Sequence, residues 1–158
     1  MATTISPATL TVQIIESITL NGQALGATNT KTFASINEIS KRIVTITTTE
    51  CLIAAFGSTV AQGSYIDANV RYMRFTNLDD TNFITLTFTN ENSDEVAIKL
   101  DAGQSFIWNG DNSGGLVDVF NATEAANVAS DTALGDLTGI QADANTASCD
   151  LEMLIASV

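Results

Sequence analysis

Histidine is absent from the 158 residues, which removes the Ser-His-Asp and Cys-His nucleophile arrangements and the commonest transition-metal ligand. Proline occurs once, at Pro7, tryptophan once, at Trp108, and cysteine twice, at Cys51 and Cys149. The cysteines are far apart and form no CxxC pair. They read as buried thiols, with a disulfide joining the middle of the chain to its last strand as the alternative. Positive charge is scarce: six Lys and Arg stand against eighteen Asp and Glu, for a formal net charge of -12, and every basic residue lies at or before Lys99. Such a field repels phosphate backbones and anionic lipid, so neither a nucleic-acid nor a membrane partner is expected. Nowhere do eighteen apolar residues run together, and MATTISPATLTVQII has neither a positive n-region nor an unbroken apolar h-region. No membrane span and no secretion signal are expected. Without such a signal the glycosylation pattern from Asn121 to Thr123 is void. A Gly-rich phosphate loop and an internal repeat of fixed period are also missing.

What is present is β-chemistry. The chain is 45% hydrophobic, long enough for a sizeable core and short enough for one domain. Thr, Ile, Val and Phe crowd its first two thirds, which favours strands. In residues 70–108, VRYMRFTNLDDTNFITLTFTNENSDEVAIKLDAGQSFIW, the apolar residues alternate: Met73 and Phe75, then Ile84, Leu86 and Phe88, then Val96, Ile98 and Leu100. That period of two marks half-buried strands. Residues 77–82, 90–94 and 101–103 carry side chains that bond their own backbone and favour turns. The stretch predicts an antiparallel meander ending at Phe106 and Trp108, with Phe75, Leu86, Ile98, Phe106 and Met153 sharing one core.

Around that stretch, residues 1–7 form a polar N-terminal arm and residues 8–158 a single β-sandwich domain. A first strand starts near Leu10, slips register around Ile15, and ends at an Asn21-Gly22 turn suited to positive φ. Residues 23–40 read as a loop pinned by Phe33 and Ile36, with a short helical turn at 35–40. Residues 42–56 predict one central strand, 116–120 another, and 121–147 a loosely packed excursion with a short strand at 138–142. Leu151, Met153 and Ile155 give the closing strand its inward face. Nine strands in all predict an all-β antiparallel β-sandwich, jelly-roll-like.

No residue is assigned a catalytic, cofactor-binding or metal role. Eighteen acids leave a glycosidase-like carboxylate pair formally available, but none stands in an aromatic sugar-binding context except near Trp108. Asp79, Asp80, Asp94, Asp101, Asp111 and Asp118 lie in or beside loops where calcium ligands could converge, without the spacing of an EF-hand. Solvated turns are the simpler reading. Lys41, Arg42, Arg71 and Arg74 suggest either a small basic patch or separate ion pairs with the acidic excess, the latter fitting better. Trp108, Tyr65 and Tyr72 would make an aromatic platform in a carbohydrate-binding module, whereas a lone strand-end tryptophan more simply caps the core edge.

The segment 70–108 resembles the core of small β-sandwich virion proteins of tailed bacteriophages. In those, an R-x-R-(hydrophobic)-x-N-L-D strand-turn precedes an N-F-(hydrophobic)-x-L strand and an L-x-A-G-(polar)-x-F segment; here these run from Arg71 to Asp79, Asn82 to Leu86 and Leu100 to Phe106. GIQADANTASCDLEMLIAS is similar to their closing hairpin. The resemblance implies a non-enzymatic particle component without cofactors: a capsid decoration (cement) protein, a homotrimer on the virion exterior contacting the major capsid protein, made in the host cytoplasm. The alternatives are a neck, tail or fibre component, or an adhesive carbohydrate-binding module.

Overall fold

The computed structural model describes residues 4–110, 114–122 and 134–158. Among these, β1 (Ala8–Ile15) and β4 (Thr28–Ile36) make an antiparallel ribbon, and its far end is the two-residue pair β2 (Thr19–Leu20) with β3 (Gln23–Ala24). Then come β5 (Glu38–Ile46), β6 (Cys51–Gly57), β7 (Ser64–Ile66), β8 (Val70–Asn77) and β9 (Ile84–Asn90). β10 (Glu95–Leu100), β11 (Ser105–Asn109), β12 (Leu137–Ala144) and β13 (Cys149–Ser157) complete the chain. Two sheets result, ordered β11-β8-β13-β5 and β10-β9-β12-β6-β7.

Setting aside β7, which joins β6 in parallel at an edge, eight strands remain from β5 to β13. The first pairs with the last, the second with the seventh, the third with the sixth and the fourth with the fifth, alternate pairs falling in opposite sheets. This is a jelly roll, a long antiparallel hairpin rolled into two facing sheets. The expected all-β sandwich is therefore the fold.

The interior follows the alternation. Met73, Phe75, Leu151, Met153 and Ile155 from one sheet face Ile84, Leu86, Phe88, Ile140 and Ala142 from the other, with Ile98 and Phe106 partly buried against them. The five residues expected to share one core do so. A second, smaller cluster lies outside the sandwich: Phe33 and Ile36 of β4 press on Tyr72 and Ala156, on the outer face of the four-stranded sheet. Phe33 and Ile36 are anchors as expected, but they pin a strand rather than a loop. At the ribbon's turn Asn21 and Gly22 have φ of 49° and 79°, matching a two-residue hairpin turn in which both centres need positive φ.

Several expectations are corrected. Residues 70–108 do not form a meander, because residues 78–83 and 101–104 each carry the chain from one sheet to the other and only β9 and β10 make a hairpin. The closing strands β12 and β13 likewise lie in opposite sheets. Alternation of period two is the same for a hairpin and for a crossing, so the pattern alone does not separate them. The run 42–56 is two strands, β5 at a sheet edge and β6 inside the other sheet. The Thr47 hydroxyl, donating to the Thr49 carbonyl at 3.1 Å, shapes the corner between them. Residues 35–40 are extended, kinked at Ser35 with φ 62°. Residues 116–120 form turns, with Phe120 bridging Gly135. The register shift falls between Ala8 and Leu10 rather than at Ile15. Of the excursion expected at 121–147, residues 123–133 lie outside the described ones, and the short strand expected at 138–142 is part of β12.

Two buried asparagines hold the ends of the roll. Asn77 donates through Nδ2 to the carbonyls of Asn82 (2.8 Å) and Leu100 (3.1 Å) and accepts from the Asp79 N–H at 3.0 Å. It thus ties β8 of one sheet to β10 of the other. Asn90 accepts from the backbone N–H groups of Asn92 and Asp94 and donates to the Phe120 carbonyl at 3.0 Å. At the same end Gly115, with φ 61°, lets the 114–117 turn approach so closely that a Cβ would sit 2.3 Å from the Asp67 carbonyl oxygen.

Leu86→Ala should cost about 2–5 kcal/mol, the range for emptying a fully buried leucine site. Asn77→Ala should cost about 1–3 kcal/mol, because it strands a buried N–H and two carbonyls. Chemical denaturation of each variant measures both. A neutral Leu86→Ala beside a destabilising Thr85→Ala would place the inward face on the opposite side of β9.

Candidate functional site

The three aromatics of the expected platform are separated by the fold. Tyr72 is buried under the ribbon, its ring 6.3 Å from that of Phe33. Tyr65 lies on β7 against Phe56, with ring centroids 5.9 Å apart, at an edge of the five-stranded sheet. Trp108 sits opposite Met73 on β11 and so turns inward, at the other side of the sandwich. There it lines an apolar cleft of about 100 Å³ between the facing edge strands β10 and β11, with Phe88, Val96, Ile98, Phe106 and Phe120.

The four basic residues do not form one patch. On the outer face of the four-stranded sheet Arg74 and Lys41 both engage Glu152, Lys41 at 3.3 Å. Arg42 turns toward the gap between the sheets and bonds the Met153 sulfur and the Ile53 carbonyl. Arg71 is buried and donates to the Ala68 carbonyl at 2.7 Å. Lys41 and Arg74 thus make the ion pairs of the second reading, whereas Arg42 and Arg71 bond backbone carbonyls instead of acids. The Glu152 carboxyl is held below its ordinary range by the hydrogen bonds from Arg74 and then Lys41.

The acidic loops are built as turns. Asp79 accepts from the backbone N–H groups of Thr81 (2.8 Å) and Asn82 (2.6 Å), and these bonds, Asn82's first, lower its pKa. Asp94 accepts from Asn90, Asp101 pairs with Lys99 at 2.6 Å, and the Asp118 N–H donates to Asp136. Among the described residues no three His, Cys, Asp or Glu side chains gather as metal ligands would; Asp111 lies outside them. The cysteines are both free, which corrects the expectation of two buried thiols: Cys51 is exposed at the start of β6, whereas Cys149 is buried. Burial, with Asp79 alongside, pushes the Cys149 thiol up.

The surface that sequence reasoning missed is the ribbon. Near the body, Leu10 and Val12 pack over the Phe33–Tyr72 cluster. Beyond it Ile14, Ile15 (69% exposed), Ile18, Leu20 and Leu25 stand in solvent. The signal was present, since residues 8–25 carry six Ile and Leu. Reading 23–40 as a loop hid the strand that pairs with them.

No protein-family model matches the chain, and no curated protein does. Among solved structures it is similar to a chain of Bacillus endospore appendages, described as disulfide-linked pili. The two share 11% identity over 77% of this chain and 85% of that one, with a TM-score of 0.40. At that level the likeness carries no argument about what this chain does.

Two solution properties follow. A thiol reagent should label Cys51 readily in the native protein and Cys149 only after denaturation, by mass spectrometry of the labelled peptides. Equal labelling of both in native conditions would contradict the burial of Cys149. The lowered pKa of Asp79 means its contribution is complete above the ordinary carboxylate value of 3.8. It is lost as pH falls through the lower folded value. Asp79→Asn should therefore flatten the acid limb of a stability profile measured from neutral pH to below 3.8.

Proposed function

We propose that this chain is a non-enzymatic structural protein that works by self-association, as a capsid decoration protein on the exterior of a tailed-phage head. The observation that carries the reading is the ribbon of β1 to β4. Beyond the Phe33–Tyr72 cluster that pins its base, a two-stranded ribbon is marginal in water, and this one holds five large aliphatic side chains in solvent, a surface that assembly covers. The resemblance of residues 70–108 and of the closing segment to small virion β-sandwiches supports the more specific role. A homotrimer suits it, since threefold positions of an icosahedral shell match a closed cyclic oligomer. The partner is then the major capsid protein, and the net charge of -12 keeps the protein from nucleic acid and anionic lipid.

A neck, tail or fibre component would use the same surfaces, and the jelly roll itself is shared by proteins of many functions. A carbohydrate-binding module retains only Trp108 of its three aromatics, because the fold holds Tyr65 and Tyr72 elsewhere.

Sedimentation should give a trimer, and the protein should bind purified capsids stripped of decoration. Removing residues 1–7, of which Ile5 is exposed, should weaken that attachment more than it lowers the melting temperature. A monomer that ignores capsids and is retained on a glycan array would move the assignment to the adhesive module.

A further inference from the structure

We infer that the tip of the β2–β3 ribbon docks, in a second copy of this chain, into the apolar cleft between β10 and β11. The inference rests on the self-association reading and names its two contact surfaces. The cleft is lined wholly by apolar surface from both sheets and holds about 100 Å³. An engineered cavity of ~150 Å³ takes a benzene, so this one has room for a single branched aliphatic side chain. Val96, one of its lining residues, is 38% exposed, so the cleft opens to solvent on that side.

The chain carries a matching occupant. Ile18 and Leu20 flank the ribbon's turn, 55% and 57% exposed, with Leu25 beside them. The Leu25 N–H bonds the Ile18 carbonyl at 2.9 Å, which fixes this end as a hairpin rather than a loose tail. Charge selects a second copy's ribbon over its body. Residues 1–37 contain one acid, Glu16, and one base, Lys31, so the whole formal charge of -12 falls on residues 38–158. Body against body brings like charges together, whereas the neutral ribbon approaches an acidic body without that repulsion. Knob and hole lie on different surfaces of one chain, so the contact is heterologous and repeats from copy to copy. It closes into a ring if the rotation allows, as a trimer requires, and otherwise extends.

The test uses full-length protein and two neutral alterations on exposed or rim positions: Ile18→Asn with Leu20→Asn in the ribbon, and Val96→Gln at the cleft. Thermal melts confirm that each variant folds. Wild type should associate with concentration, and Trp108 emission should shift to the blue as the cleft fills. Each variant alone should associate at least about tenfold more weakly, the effect of losing one well-buried aliphatic contact. Mixed one to one, they should form a heterodimer and nothing larger, because only one ribbon and one cleft remain intact. Wild type that assembles while the ribbon variant assembles equally well, with Trp108 emission unmoved, would overturn the docking and leave self-association standing. Wild type that stays monomeric at every concentration would overturn both. A cleft variant that dimerises fully on its own would overturn the docking in favour of ribbon against ribbon.

Discussion

Everything in this molecule depends on keeping one apolar face turned inward while successive strands change sheets. Met73, Phe75, Met153 and Ile155 on one side and Ile84, Leu86 and Ile140 on the other are fully shielded from solvent. Their shared burial is what makes two twisted sheets one body. Because the phase is two, a corner must deliver each strand with the correct parity. A slip by one residue would put Thr85 and Thr87 where Leu86 belongs. The corners therefore need their own fixtures. Asn77 supplies one by satisfying three backbone groups, among them the Leu100 carbonyl of the facing sheet, and Asn90 satisfies three others at the opposite end. A buried amide with every bond made gives specificity that an apolar residue of the same size would not.

This division between face and corner explains how much the sequence disclosed. Inward residues were legible one by one, since alternation is a local property and Val, Ile and Phe state it strongly from Met73 to Leu100. The turns were legible for the same reason: Asn77, Asp79 and Asn90 bond backbone two to four residues away. Which sheet each strand joins was not legible. Residues 78–83 look like a hairpin turn because the side-chain chemistry of a tight turn and of a crossing corner is the same, and the distinction lies in long-range pairing such as Glu152 with Thr76 and Ile43. Conversely, β4 was missed because TNTKTFASI is polar on one face and is buried only where Phe33 and Ile36 meet Tyr72. Its strand character comes from β1 as a neighbour, and tertiary pairing outweighs the weak local signal.

The candidate surfaces show the same asymmetry. Trp108 was singled out as the one tryptophan, and its position at a core edge was foreseen, but the cleft around it requires Phe88 and Phe120 from distant parts of the chain. The aromatic platform failed because Tyr65, Tyr72 and Trp108 belong to three surfaces that only the roll-up defines. Basic residues close in sequence number were likewise parted by strand alternation: Lys41 and Arg42 point to opposite faces of β5, one to Glu152 and one to Met153.

Under the proposed self-association, charge and apolarity are distributed so that one chain can resist random aggregation and still associate. The acidic loops on the body, Asp79, Asp80 and Asp101 among them, repel other bodies over the roughly 10 Å Debye length of ~0.1 M salt. That repulsion protects the open edges of β5 and β11, which would otherwise offer unpaired backbone to any strand. The ribbon escapes the rule, since with Glu16 and Lys31 as its only charges it can enter the field of a neighbour. Its aliphatic side chains gain burial only against an apolar recess, and in solvent they contribute nothing to the stability of their own fold. The proposed docking limits contact to one geometry, with repulsion suppressing the alternatives and a small apolar surface favouring the remaining one.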